Sequence, residues 1–366
     1  MSWSPQQDAA LKAVSRWYEG KREAQVFRLF GYAGTGKTTL ARHIAEHIDG
    51  DVVFGAFTGK AAHVLRQKGC ADAGTIHSLI YRPAISEDEE EDGAPMFTIR
   101  RDAPAGEADL IIIDECSMVD EELGRDLLSF GVPVLVLGDP AQLPPVKGGG
   151  FFTEAEPDVM LTEVHRQAAD NPIIRLSMDI REGGMPEHGT YGESRVIGRR
   201  EIDADAILAA NQVLVGRNIT RQKYNGRIRT LLEFDGDSPC VGERLVCLRN
   251  NKQKGLLNGG MWKVKARAGK KRGLLRMDLI PEDGGRTTRV GVLPDFFSES
   301  AEQIPWQKRR RSDEFDYGYA LTVHKAQGSQ WDDVVLFDES FAFREHRDRW
   351  LYTAVTRAAE KITIVR

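Results

Sequence analysis

Four short apolar runs punctuate the first part of the chain: VFRLF (26–30), DVVFGAF (51–57), LIIID (110–114) and VPVLVLG (132–138). They have strand length and no polar alternation, the pattern of parallel strands covered on both faces. Amphipathic stretches separate them. In TTLARHIAEHI (38–48), Leu40, Ile44 and Ile48 fall on one helical face. Strands alternating with helices predict an α/β sheet. The strand pattern returns at QVLVG (212–216), VVLF (334–337) and KITIV (361–365), which predicts a second α/β lobe. Between 239 and 300 the character changes. Gly, Arg and Lys become frequent, and short β-like runs appear at RLVCL (244–248), MWKVKA (261–266), LLRMDLI (274–280) and TRVGVL (288–293). This stretch is expected to be a small β-barrel inserted into the second lobe. The acidic run SEDEEEDG (86–93) interrupts the first lobe as an exposed loop or hairpin tip.

With 366 residues, 41% hydrophobic and 29% charged, the chain has the composition of a soluble globular protein with two or three domains. No apolar run reaches the roughly 18 residues of a membrane-spanning helix. The N-terminal MSWSPQQDAALK lacks the basic-then-apolar layout of a signal peptide. A cytoplasmic location is expected. The four cysteines, Cys70, Cys116, Cys240 and Cys247, have no zinc-site spacing and read as free thiols. The net charge of −5 does not advertise nucleic-acid binding, so such a partner would require segregated charge.

Candidate chemistry begins at GYAGTGKT (31–38), which fits G-x-x-x-x-G-K-[ST] with a predicted strand before it and a helix after it. Gly34 and Gly36 let backbone N–H groups close around phosphate oxygens, together with Thr35 and Thr39. The helix N-terminus adds the positive end of a dipole. Lys37 would reach the β- and γ-phosphates of ATP, and Thr38 would hold Mg²⁺. The run LIIIDECSM (110–118) places Asp114 and Glu115 at a strand's C-terminal end. There Asp114 would hold Mg²⁺ and Glu115 would activate the attacking water. Gln142, in GDPAQLPPV (138–146), is placed to sense the γ-phosphate. His43-Ile44-Ala45-Glu46-His47 fits the zinc-protease pattern H-x-x-E-H, but with no third ligand in view these read as ordinary helix histidines.

The order of motifs resembles the RecD-like branch of superfamily 1B helicases over nearly the whole chain. The resemblance is carried by AFTGKAAHVL (56–65), TIHSLIY (75–81), IIDECSMVD (112–120), GDPAQLPPV (138–146), LTEVHRQAADNPIIRLSMDIREG (161–183), YALTVHKAQGSQWDDVV (319–335) and WLYTAVTRAAEKITIV (350–365). GERLVCLRNN…LLNGG (242–260) is similar to the start of these relatives' SH3-like barrel. The resemblance implies two RecA-like parallel-sheet motor domains. Residues 1–170 would form the first, with a wedge-hairpin insertion at 82–104. Residues 171–238 and 301–366 would form the second, with the SH3-like barrel at 239–300. It further implies an ATP-dependent motor that moves 5′ to 3′ on single-stranded DNA and unwinds 5′-tailed duplex.

Carried over by position, Arg166 and Arg357 would be arginine fingers reaching the γ-phosphate from across the cleft, since an always-charged planar fork stabilises charge on a transferring phosphoryl group. Gln7 sits where relatives contact adenine, although Ser4-Pro5-Gln6-Gln7 is also a helix-capping sequence. Gly328 and Gln330 fall in the nucleotide-contacting loop. Gln330 replaces the glutamate with which many superfamily members touch the ribose. Along the strand path the resemblance implies Thr58, Gly59, Lys60, Thr75, His77 and Ser78 in the first lobe and Thr322, His324 and Lys325 in the second. Hydroxyls and short loops suit phosphate binding without reading sequence. Phe97 would stack at the wedge. Lys308–Arg311 reads equally as an electrostatic attractor or a solvated linker. Beginning almost at the glutamine motif, the chain is expected to be a minimal, monomeric motor, working with replication, recombination or repair proteins. A translocase that strips proteins from single strands, a motor subunit of a repair complex, and an RNA substrate remain open on these motifs.

Overall fold

The computed structural model describes residues 3–20, 24–83, 97–100, 102–145, 148–163, 171–298 and 303–366. In the first lobe, six parallel strands lie in the order Gly74–Thr75, Val52–Ala56, Leu110–Asp114, Val134–Gly138, Val26–Gly31, Val159–Leu161. Period-2 geometry divides each strand between two cores. Ile112 and Leu135 pack with Leu40, Ile44 and Leu65 of the helices on one face. Ile111, Ile113 and Val134 pack with Ile76, Leu79 and Leu123 on the other. This two-sided cover is why Leu-Ile-Ile-Ile carries no polar position. Each such fully buried side chain contributes about 1.5–3 kcal/mol through area removed from water. The register aligns Phe30 with Gly138 and Ala56 with Asp114, so the C-terminal strand ends open onto one edge.

A second six-stranded sheet runs Ala320–Thr322, Gln212–Val215, Trp331–Phe337, Ala358–Val365, Ser194–Ile197, Gly189–Tyr191. Its pairings are parallel except at the edge, where Gly189–Tyr191 turns back on Ser194–Ile197. Val215 is in register with Thr322, which again aligns C-terminal ends on one edge.

The stretch expected to be β-rich forms a five-stranded antiparallel sheet: Thr288–Val292, Leu274–Pro281, Met261–Lys271, Arg244–Cys247, Phe315–Tyr317. Its last strand lies beyond residue 300. Phe315 and Tyr317 bury themselves in this sheet's core, and Asp316 between them ion-pairs with Arg221 at 2.5 Å. In the first lobe, Tyr81–Pro83 pairs with Phe97–Ile99, and the span 84–96, with the Phe97 side chain, lies outside the described residues. Among the described residues, no helix is long and apolar enough to cross a membrane.

Candidate functional site

The phosphate loop follows the strand Val26–Gly31 and leads into the helix Lys37–Glu46. Gly34 and Gly36 have φ of 79° and 82°, a left-handed conformation that glycine adopts without strain. No side chain caps this helix. Its first N–H groups and dipole therefore face the loop, which suits an anion. Lys37 Nζ donates to the carbonyls of Gly31 (2.6 Å) and Tyr32 (3.0 Å). Thr38 Oγ1 donates to Asp114 Oδ2 at 3.0 Å, bringing together two hard oxygen ligands. Burial and the neighbouring Glu115 carboxylate push the Asp114 carboxyl above its ordinary range, opposed by Lys37 and the Thr38 hydrogen bond. Glu115 has φ 54° and ψ 45°, a left-handed backbone uncommon for a side-chain-bearing residue. Strain of this kind concentrates at functional sites.

A cavity of about 480 Å³ joins the two lobes. Gly34, Gly36, Lys37, Thr38, Thr39, Asp114 and Glu115 line it from the first lobe, and Gly328, Gln330 and Arg357 from the second. Arg357 is held by its surroundings: Nε donates to Thr353 O (3.1 Å), Nη1 to Ser329 O (3.2 Å) and Nη2 to Thr356 Oγ1 (3.2 Å). A guanidinium has five N–H donors, so two remain for a phosphoryl oxygen. Gly328 (φ 75°) sits where the lobes touch, and a Cβ there would lie 2.9 Å from Ala61 Cβ. Gln330 Nε2 donates to Ala358 O at 3.4 Å. Arg166 lies outside the described residues.

Gln7 takes the capping role. Its Oε1 accepts from Ser4 N and its N–H donates to Ser4 Oγ, while Nε2 donates to Thr35 O at 3.0 Å. It is buried and braces the phosphate loop from behind; it is not among the residues lining the cavity. Thr35 is buried too, its hydroxyl donating to Tyr32 O. Gln142 is buried, and its carboxamide oxygen meets no protein partner.

Sequence reasoning passed over the residues that connect the lobes behind the cavity. Tyr352 Oη accepts from Ala33 N–H in the phosphate loop (3.0 Å) and donates to Asp139 Oδ2 (2.6 Å). Leu143 N–H donates to Thr353 Oγ1 (2.9 Å), and Gln327 Nε2 to Leu143 O (3.1 Å). The Arg181 guanidinium lies 3.7 Å from the centre of the Tyr32 ring. Asp139 and Tyr352 lie inside strings already singled out, GDPAQLPPV and WLYTAVTRAAEKITIV, but no local pattern pairs residues 213 apart.

A second inter-lobe cavity, about 390 Å³, is lined by Thr58 and Lys60 from the first lobe, Thr322, His324 and Lys325 from the second, and Asn258 and Gly259 of the antiparallel sheet region. Thr58, Thr75 and Thr322 share one local design. Each is a helix N-cap whose hydroxyl oxygen accepts a backbone N–H, from Ala61, Ser78 and Lys325 respectively. Such a hydroxyl keeps its own proton to donate to a phosphate. Thr75, His77 and Ser78 do not line this cavity; they adjoin it through Phe57, whose ring is 6.5 Å from that of His77. Gly59 packs against Leu257 and Asn250. Lys60 Nζ pairs with Asp283 at 2.7 Å. Burial holds the His324 and His77 imidazoles below their usual pKa, so both favour the neutral form.

Two remaining candidates lie at the surface, outside both cavities. His43, Glu46 and His47 bring ligand atoms within 4.8 Å of one another on the half-exposed face of the helix Lys37–Glu46 and its C-cap. In the basic run, Lys308 pairs with Asp295 (2.5 Å) and Arg309 with Glu314 (3.9 Å).

Known proteins resemble this chain along most of its length. A family profile described as an AAA domain matches residues 2–199, and one described as a UvrD-like helicase C-terminal domain matches residues 317–365. The ATP-dependent RecD2 DNA helicase of Deinococcus radiodurans is 30% identical over 91% of this chain and 46% of its own length. The chain thus spans about half of that relative. The ATP-dependent DNA helicase Pif1 of Bdellovibrio bacteriovorus is 24% identical over 90% of this chain and 81% of its own length. Among solved structures, a Bacteroides Pif1 helicase in complex with ADP-AlF3 and ssDNA superposes with a TM-score of 0.59 at 18% identity, covering 99% of this chain and 92% of that one.

Proposed function

The chain belongs to the RecD/Pif1-like superfamily 1B helicases, and from that premise we propose that it is an ATP-driven motor that moves 5′ to 3′ along single-stranded DNA and opens the duplex ahead of it. One observation carries the reading. The phosphate loop with Asp114 and Glu115 in one lobe, and Arg357 in the other, face a single cavity.

The residues present fit ATP and Mg²⁺. The uncapped helix start and the left-handed glycines suit phosphate oxygens, and the Thr38–Asp114 oxygen pair suits a hard cation that keeps most of its water. Bound there, Mg²⁺-ATP would supply the phosphoanhydride whose cleavage drives the motor. Lys37 would turn from its loop carbonyls to the β- and γ-phosphates. Glu115 would orient and deprotonate the attacking water. Arg357 would stabilise charge developing on the γ-phosphoryl oxygens. Because Arg357 belongs to the second lobe, nucleotide favours the closed arrangement only while its guanidinium reaches the phosphate, which makes closure depend on ATP. Thr58, Thr322 and Lys325 would then hold strand phosphates differently in the open and closed states.

An SH3-like closure of the antiparallel sheet is part of this reading. A parallel bridge between Val292 and Asp313, next to the two edge strands, supports it. The deciding assay compares matched 5′-tailed and 3′-tailed duplexes with ATP and Mg²⁺. Unwinding of the 5′-tailed substrate alone is expected. Unwinding of the 3′-tailed one would reverse the polarity. ATP turnover with protein displacement but no unwinding would make the chain a translocase.

A further inference from the structure

The hairpin Met261–Lys271/Leu274–Pro281 takes no part in the nucleotide cleft. Its turn is a two-residue one. Lys271 pairs with Leu274, and Arg272 (φ 52°) and Gly273 (φ 79°) between them are both left-handed, the geometry that matches strand twist. Register shifts at Val264/Ala266 and Arg267/Lys270 bend the first strand on its way to the tip.

From 263 to 272 the sequence KVKARAGKKR holds six cations and no carboxylate. All six, Lys263, Lys265, Arg267, Lys270, Lys271 and Arg272, are exposed. The only carboxylates between 261 and 292 are Asp278, Glu282 and Asp283, and each is already engaged. Arg289 binds Asp278 (2.7 Å), Arg244 binds Glu282 (2.6 Å) and Lys60 binds Asp283 (2.7 Å). Among the described residues the six cations form no ion pair. A chain of net charge −5 therefore presents a concentrated, uncompensated positive arm.

The arm is also tied to the strand path. Asp283 at its base holds Lys60, and Lys60 N–H donates to Asn258 O at 3.3 Å. Both contacts lock the antiparallel sheet onto the helix whose start lines the strand cavity. The arm exposes no aromatic ring; Trp262 at its root is buried. Single-strand tracks combine cations with stacking faces, whereas duplex phosphates need cations alone.

We propose that this hairpin grips the backbone phosphates of duplex DNA, holding the double-stranded part of a tailed substrate without reading its bases. The proposal rests on the DNA-motor reading above. It is tested by fluorescence anisotropy with a 5′-tailed duplex and with the single-stranded tail alone, across about 50–200 mM salt. Lys270→Gln/Lys271→Gln/Arg272→Asn alters only the exposed tip, and Lys263→Gln/Lys265→Gln/Arg267→Gln alters only the outer strand. Either triple variant should bind the tailed duplex at least about tenfold more weakly. Its salt slope should fall by about 2.7, at about 0.9 per phosphate contact. Affinity for the tail and tail-stimulated ATP turnover should stay at wild-type values. Equal loss on both probes would place the cations on the single strand and overturn the proposal. Wild-type affinity for both probes would leave the arm a solvated face and overturn it as well. If the unaltered protein binds neither probe, the DNA-motor reading falls along with it.

Discussion

The candidate nucleotide cleft and the proposed strand path are built at the ends of different strands of the same two sheets, and they hold polar groups in different ways. In the cleft, charged groups of both signs are crowded together. Asp114 is driven toward protonation by burial, and Arg357 is fixed by three hydrogen bonds. Along the proposed strand path, hydroxyls that already cap helices stand beside Lys60 and Lys325 and beside imidazoles whose pKa burial lowers. Preorganised charge in a water-poor cleft stabilises a transition state. On the proposed reading, hydroxyls with one proton to spare would hold a strand phosphate by a single neutral hydrogen bond each. On that reading, the contrast is between a site that must be rigid to react and one that must let go to move.

Among the variants that separate the two regions, removing the cation at the centre of the rigid site should have the largest effect. Lys37→Ala is expected to lower DNA-stimulated ATP turnover by at least about 10²-fold. Its melting temperature should stay near wild type, because Nζ contacts only two loop carbonyls. Wild-type turnover in this variant would break the assignment of the cleft.

On the other side of the comparison, Thr58→Val/Thr322→Val removes two caps and two phosphate donors. Each lost cap costs about 1 kcal/mol of stability. Single-strand affinity should drop several-fold, while ATP affinity without DNA holds. The serine double variant keeps both hydroxyls and should behave as wild type. A drop in DNA-free ATP affinity would mean that the two regions are not separable.

Tyr352→Phe probes the link between the lobes. It deletes the hydroxyl shared by Ala33 and Asp139, a charge-assisted bond of about 1.5–3 kcal/mol. A several-fold rise in KM for ATP with little change in kcat is expected from steady-state kinetics. A collapse of kcat alone would assign the tyrosine to the chemistry.

The smallest effect concerns pH. His77 and His324 have folded pKa values below the ordinary 6.5. The unfolded chain therefore binds protons more readily, and the stability these groups contribute is full above about pH 6.5 and declines as pH falls below it. Melting temperatures from pH 7.5 to 5.5 should show this, and His324→Asn should flatten the slope. A wild-type slope in that variant would mean that His324 is not buried in the neutral form.

How much of this was legible follows from how local each feature is. The strand Leu110–Asp114 and its two terminal acids stand out because two-sided burial removes every polar position until the edge is reached. The phosphate loop stands out because phosphate binding is done by consecutive backbone groups. Gln7 carried two readings, and the capping one is what its hydrogen bonds show. The short strands Val159–Leu161 and Ala320–Thr322 had too few residues to display a period. Phe315–Tyr317 escaped because its strand partner is Arg244–Cys247, across the whole insertion. The Asp139–Tyr352 pair escaped for the same reason, since only the closed tertiary arrangement makes neighbours of them.

The account depends on Arg357 acting across the cleft on a phosphate held by the other lobe. The direct test measures ATP affinity and single-turnover hydrolysis with Arg357→Ala and Arg357→Lys, in preparations that melt like wild type. Both variants should bind ATP within about threefold of wild type and hydrolyse it about 10³-fold or more slowly, the usual worth of an arginine finger. Wild-type hydrolysis, or weakened ATP binding with an unchanged rate at saturation, would contradict it.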